Sequence, residues 1–429
     1  MTPFRTACAA LAILGALVSP AAVAEGITGR LILNDGPASG VTVSAVPFET
    51  PQEEARREAR KLPGPSAAAS TKSGADGTFS LDLPAAPAGR EYRLRVEGGG
   101  LIPCFVPGAY DPGEKIDLGD LFVDKGEPLS GRVLLPEGVP ATQVEVILSQ
   151  HAGSTSSPEP APMTMYPAAD GRFSFDAAHP TANALVVRAD GFVAAPLSRQ
   201  KAGPVEKIIR LQSVAPLTGV VRKKDGITPA PGALVRVEGD TSSRWTETDD
   251  SGSFRITSSP ASARRLVADG GNDGVAETVV KRGTSAGAVL TLGPAASVKG
   301  RVIDKATGKT LPRVRLTVEV AGRLSLARSR ADGTFEIPGL LPGKYAVASD
   351  DPRYVPARRG PFSVVAGATL KVDIVLVAGA SISGRVVDEM GEPVAQAKGL
   401  LVPATLAGLR SLIGEHRRPF ATGKDGSFR

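Results

Sequence analysis

Short stretches in which apolar and polar residues alternate recur along the whole chain. "ITGRLIL" begins at 27, "LSGRVLL" at 129, "LTGVVRK" at 217, "VKGRVID" at 298 and "ISGRVVD" at 382. A period of two is the mark of a strand with one face buried, and glycine early in such a strand marks a bulge or a close backbone approach. Each of these strands is followed by a turn such as "DKATGKTLP" and a second alternating run such as "VRLTVEV". Then comes a short phrase, Asp-Gly-x-Phe. It stands at Asp76-Gly77-Thr78-Phe79, Asp170-Gly171-Arg172-Phe173, Asp332-Gly333-Thr334-Phe335 and Asp425-Gly426-Ser427-Phe428, and with serine for aspartate at Ser251-Gly252-Ser253-Phe254. Asp-Gly predicts a tight turn, because glycine accepts positive φ and aspartate bonds the backbone two residues on. The phenylalanine then points inward and anchors the next strand. "LLPGKYAV" supplies a further turn and strand with Tyr345 in the core, and "VEKIIRL", "AVLTL" and "TLKVDIVL" read as closing strands.

Two markers recurring in the same order define a repeat. Six or seven short strands in about 80 residues, with a turn signal every 8–12 residues, predict a β-sandwich. The predicted organisation is a signal segment at 1–24 and units at 25–125, 126–213, 214–294, 295–378 and 379–429. Units this small bury only about 60–65% of their chain surface, so contacts between neighbours matter to their stability. The fifth unit stops at Phe428-Arg429, within a strand, and is expected to be incomplete, which suggests covalent continuation into a larger protein. Two insertions interrupt the pattern between the second strand and the Asp-Gly turn. "TPQEEARREARKL", 50–62, is charged and rich in helix formers and is expected to form a short surface helix in a loop of the first unit. "LAGLRSLIGEHRR", 406–418, occupies the same place in the fifth.

Composition fits this picture. The 49 glycines and 36 prolines accompany 42% hydrophobic residues, which suits many strands and tight turns and is too apolar for a disordered chain. The opening "MTPFRTACAALAILGALVSPAAVAEG" has one basic residue, a short apolar run and Ala22-Val23-Ala24 before Glu25. This is the pattern of a Sec signal peptide, and it predicts export to a periplasmic, outer-membrane-associated or extracellular location. No later stretch is long and apolar enough to span a bilayer as a helix. Of the two cysteines, Cys8 lies in the signal segment, so no internal disulfide is expected and Cys104 is read as a small buried apolar residue. The net charge of +6 is mild and mixed along the chain. Basic clusters such as "ARREARK" at 55–61 read as a solvated face, and no interleaving of basic and aromatic residues indicates nucleic acid.

At this point the chain resembles a known family. "KGRVIDKATGKTLPRVRLTV…SRADGTFEIPGLLPGKYAV" and "SGRVVDEMGEPVAQA…ATGKDGSF" resemble the carboxypeptidase regulatory-like domain. The resemblance is clearest in units four, five and one and weaker in two and three. It implies an all-β tandem array of about five small prealbumin-like (Ig-like, transthyretin-like) β-sandwich domains, the last incomplete. It also implies an accessory, non-catalytic module, as found beside metallocarboxypeptidase domains, at the N-termini of TonB-dependent outer-membrane receptors and in tandem on bacterial surface proteins. The module has no active-site residues to carry over.

Reactive constellations are poorly represented. A zinc carboxypeptidase needs His-x-x-Glu and a further histidine, and none of His151, His179 and His416 is placed to supply it. "GTSAG", Gly283–Gly287, matches the Gly-x-Ser-x-Gly elbow, but a strand-like run follows it where a helix is needed, so Ser285 is read as a turn residue. "DKATGKT" fails the phosphate-loop pattern because Ile303 stands where its first glycine belongs. "DGGNDG" carries Asp269, Asn272 and Asp273 without the EF-hand spacing and is read as a solvated turn. The expectation is therefore no catalytic residue, no metal site and no cofactor. Trp245 in "SSRWTETD", the single tryptophan, is the one ligand-binding candidate, as an aromatic platform for sugar. The expected function is a structural or interaction module of the bacterial cell envelope, with a cell-surface protein or polysaccharide as partner and no nucleic acid. The alternative is a carbohydrate-binding accessory region of a larger surface enzyme or TonB-dependent receptor.

Overall fold

In the computed structural model the described residues are 26–428, apart from 34–35, 86–89, 107, 151–157, 321–322, 350, 352, 356, 380–381, 396, 402–417 and 423–425. The signal segment, His151, His416 and the insertion at 406–418 lie outside them, apart from Arg418. The chain is all-β, a tandem series of small two-sheet sandwiches. Four separate hydrophobic cores run in chain order, from Ile27 to Val123, Leu129 to Ile209, Leu217 to Leu292 and Ala296 to Leu376.

The four sandwiches share one plan. In the fourth, the opening strand Ala296–Asp304 is flanked by Thr334–Leu340, which is antiparallel, and by Thr369–Lys371 and Ile374–Leu376, which are parallel to it. The opposing sheet orders Arg323–Arg328, Arg315–Val320, Gly343–Ser349 and Ala357–Val364. The third unit repeats this with Ser253–Ile256, Leu217–Arg222 and a parallel Ala288–Thr291 in the first sheet. Its second sheet orders Thr246–Glu247, Leu234–Val237, Arg264–Asp269 and Val275–Val280. In the first two units, Ile116–Phe122 and Gly203–Arg210 are the parallel closing strands beside Ile27–Leu33 and Glu127–Leu134.

The two sequence markers turn out to be one structural feature. The glycine of each opening strand lies directly opposite the phenylalanine that follows each turn. The register pairs are Gly29 with Phe79, Gly131 with Phe173, Gly219 with Phe254, Gly300 with Phe335 and Gly384 with Phe428. In the first four sandwiches the ring lies over the glycine. A Cβ at Gly131 would stand 2.4 Å from Phe173 Cζ, and one at Gly219 2.5 Å from Phe254 Cζ. An aromatic ring covering a cross-strand glycine replaces the packing that the missing side chain cannot supply. On its other flank the glycine meets the closing strand's backbone: a Cβ at Gly300 would be 1.7 Å from the Val372 carbonyl oxygen. The turns have the expected chemistry. Gly77, Gly171, Gly252 and Gly333 all have φ between +73° and +84°. Asp76, Asp170 and Asp332 each accept the backbone N–H two residues on. Tyr345 is buried and donates to the Leu341 carbonyl at 2.5 Å.

The first unit carries α1, Pro51–Ala59, between the strands Thr42–Pro47 and Ala69–Lys72. A capping box starts it: Glu53 N donates to Thr50 Oγ1 while Thr50 N donates to Glu53. The helix lies at the surface as expected, with Ala55 its one buried residue, and its "ARREARK" segment also makes contacts to other units. The polar side chains of α1 and its C-terminal end reach the second and third units. Among the described residues no helix is long and apolar enough to cross a membrane.

Candidate functional site

The C-terminal end of α1 meets the second and third units at a cavity of about 330 Å³. Lys61 comes from the first unit, Arg188 to Gly191 from the second, and Ser242, Arg244, Trp245 and Arg255 to Thr257 from the third. Each wall has a local cause. Lys61 follows the helix in the left-handed region, φ 54°, the conformation that closes a helix C-terminus. Its ammonium lies 2.5 Å from Asp190. In the third unit Asp240 builds the loop that carries Trp245. One carboxylate oxygen accepts the Ser242 N–H and the Ser243 N–H, and the other accepts the Ser258 hydroxyl at 2.7 Å. This is the turn chemistry of a short acidic side chain.

Ion pairs between units frame the cavity. Arg188 Nη1 lies 2.8 Å from Glu58, and the same guanidinium donates to the Thr241 carbonyl. Arg244 lies 2.7 Å from Glu145 of the second unit, and Arg60 forms a two-pronged pair with Glu247 at 2.8 and 2.9 Å. The Gly191 N–H donates to Thr257 Oγ1. Elsewhere on the first unit, Arg328 pairs with Glu91 at 2.5 Å and Arg313 with Asp111 at 2.8 Å, joining units one and four. Burial pushes Glu91 above the usual carboxylate range, against the pull of Arg328. The second unit also lends a strand to the first, as Glu159–Pro160 pairs with Cys104–Phe105.

Trp245 lies half-buried on this wall. The Arg236 guanidinium stacks on its ring, 4.6 Å from the centroid, so the tryptophan is not a bare platform. Its indole N–H has no protein partner among the described residues. Arg255 is exposed, and its guanidinium likewise has no partner among the described residues.

The remaining sequence candidates are dispersed. His179 sits in a turn, where Nδ1 accepts the Thr181 and Ala182 N–H groups. Ser285 is half-buried in the loop before Ala288–Thr291, and its carbonyl accepts the Thr218 N–H; a strand follows it, not a helix. Asp269 caps Gly271 and receives a 3.5 Å contact from Gln52, while Asp273 pairs with Lys223 at 3.0 Å. No group of three metal-ligating His, Cys, Asp or Glu side chains occurs among the described residues. Cys104 is buried in its strand, and burial pushes its thiol up to about 12. Sequence reasoning singled out Trp245 but missed the arginines and Lys61 beside it, because they converge from three units and no local spacing connects them.

No curated protein sequence matches the chain. Among solved structures, the minor pilin of Streptococcus agalactiae is 14% identical, with 39% of this chain and 98% of that one covered, at a TM-score of 0.22. The major pilin of Bacillus cereus is 11% identical, covering 82% and 99%, at 0.17. The pilus adhesin of Lactobacillus rhamnosus GG is 11% identical, covering 80% and 57%, at 0.19. Likenesses this distant carry no argument about function. The family comparison is more specific: residues 297–377 match the carboxypeptidase regulatory-like domain. The fourth sandwich is thus a carboxypeptidase regulatory-like domain within an all-β, multi-domain chain.

Proposed function

We propose that this protein is an exported, non-catalytic interaction module of the bacterial cell envelope. Its units would be 25–125, 126–213, 214–294, 295–378 and 379–429, after removal of 1–24 as a Sec signal peptide. The observation that supports the reading is the docking of units two, three and four on the first. Pairs such as Arg188–Glu58, Arg60–Glu247 and Arg328–Glu91 hold separate cores in fixed relation, as a presenting surface requires. The Arg188–Glu58 and Arg328–Glu91 pairs are partly buried, and pairs of this kind define orientation more than they add stability. Fractionation of cells expressing the native gene, with N-terminal sequencing of the recovered chain, tests it. An envelope or extracellular protein beginning at Glu25 is expected, and a cytosolic protein retaining Met1 contradicts it.

A second reading is a carbohydrate-binding accessory region of a larger surface enzyme or receptor. Trp245 on the wall of the junction cavity is the observation that favours it. A glycan array should then show saturable binding that falls on Trp245→Ala, and a flat response contradicts it.

A further inference from the structure

We infer that the cavity where the first three units meet binds an acidic saccharide, a short uronate-containing segment of an envelope polysaccharide. This rests on the carbohydrate reading and names the ligand class and the site. The cavity, at about 330 Å³, lies at the small end of the range for ligand sites, roughly 300–1,000 Å³. It suits a short saccharide and is larger than a bare inorganic anion needs.

The charges on the walls decide the sign of the ligand. Lys61, Arg188 and Arg244 are each held by a carboxylate, Asp190, Glu58 and Glu145. Among the described residues that line the cavity, Arg255 is a cation without a carboxylate partner, and its guanidinium can take a carboxylate through two parallel N–H bonds. The other donors suit sugar hydroxyls. The Trp245 indole N–H has no partner among the described residues, and Thr257 Oγ1 accepts from Gly191, which leaves its O–H to donate. The indole adds apolar surface for a sugar ring, which a free phosphate would not use.

The site also couples binding to architecture. Its walls come from three units, so a ligand that fills it binds only the docked arrangement. By mass action it stabilises that arrangement over any in which the units separate.

Calorimetry of the full chain with a galacturonic acid trimer, the neutral galactose trimer and inorganic phosphate tests the proposal. The acidic trimer should bind saturably, at least about tenfold tighter than the neutral one, as one charged hydrogen-bonded contact implies. Arg255→Gln, an exposed change compatible with folding, should weaken it about tenfold, and Trp245→Ala should weaken both trimers. Hydrogen-exchange protection on binding should appear together at residues 59–61, 188–191 and 255–257. Equal affinity for the two trimers overturns the acidic ligand and leaves the carbohydrate reading standing. Saccharide binding indifferent to both substitutions overturns this site alone. Binding of phosphate only, or of nothing, overturns the proposal, while the carbohydrate reading falls only with a flat glycan array.

Discussion

In the third unit the turn before Phe254 has lost the aspartate that the fourth keeps before Phe335, yet both turns are capped. Asp332 accepts the Thr334 N–H and hydroxyl. In the third unit Asp249, two residues earlier than the usual place, accepts the N–H groups of Ser251 and Ser253 and the Ser251 hydroxyl. Gly252 and Gly333 have φ of 73° and 78°, and each phenylalanine still faces its glycine across the sheet. The family match covers residues 297–377, in the fourth unit. What persists beyond recognisable sequence is a set of physical requirements: one residue with positive φ, one short acceptor for the turn's N–H groups, and one ring over one glycine.

A Cβ at Gly300 would meet a backbone carbonyl at 1.7 Å and one at Gly219 at 2.3 Å, whereas at Gly29 the nearest atoms stand 3.0 Å away on a ring edge. Backbone cannot step aside as a side chain can. Gly300→Ala should therefore cost about 3 kcal/mol or more, Gly219→Ala somewhat less, and Gly29→Ala about 1 kcal/mol. Peptide-level hydrogen exchange in each unit's opening strand reads these separately, as global unfolding of a multi-domain chain does not. Equal effects at the three glycines would refute the close-approach explanation.

Tyr345 ties the fourth sandwich to the Leu341 carbonyl, and the third has no tyrosine in its place. Tyr345→Phe should cost about 1 kcal/mol, visible as faster exchange in the fourth unit alone.

Smaller still is the turn aspartate. The side-chain hydrogen bond from Thr334 to Asp332, and that from Ser251 to Asp249, hold both carboxyls below their ordinary range, helped by the backbone N–H groups they accept. A folded value below the unfolded one gives stability that is complete above the ordinary carboxylate range and is lost as pH falls through the folded value. Asp249→Ala and Asp332→Ala should each lower the melting temperature slightly at neutral pH, and the deficit against wild type should vanish in strong acid. A deficit independent of pH would show that the carboxylate charge is not what caps the turn.

Most of the fold was legible in the sequence because its requirements are local. Alternation gives strands, Asp-Gly gives turns, and the recurrence of both gives repeats. The sequence also shows Gly29 and Phe79 as markers, but their pairing depends on which strands become neighbours, and periodicity carries no strand order. The closing strands were read from their alternation, but that they lie parallel to the opening strands was hidden for the same reason. The candidate site was the least legible part. Glu58, Arg60 and Lys61 have the composition of a solvated helix, and only the placement of Arg188, Asp190 and Glu247 turns them into an interface.

The account stands on that interface, where α1 gathers units two and three against the first. Small-angle scattering of the full chain, beside a variant in which Pro51–Lys61 is replaced by a Gly/Ser linker of equal length, tests it directly. Docked units predict a compact, single-peaked distance distribution for the wild type and an expanded one for the variant, with each sandwich still folded by circular dichroism. An extended wild-type chain of independent beads, indistinguishable from the variant, would contradict it.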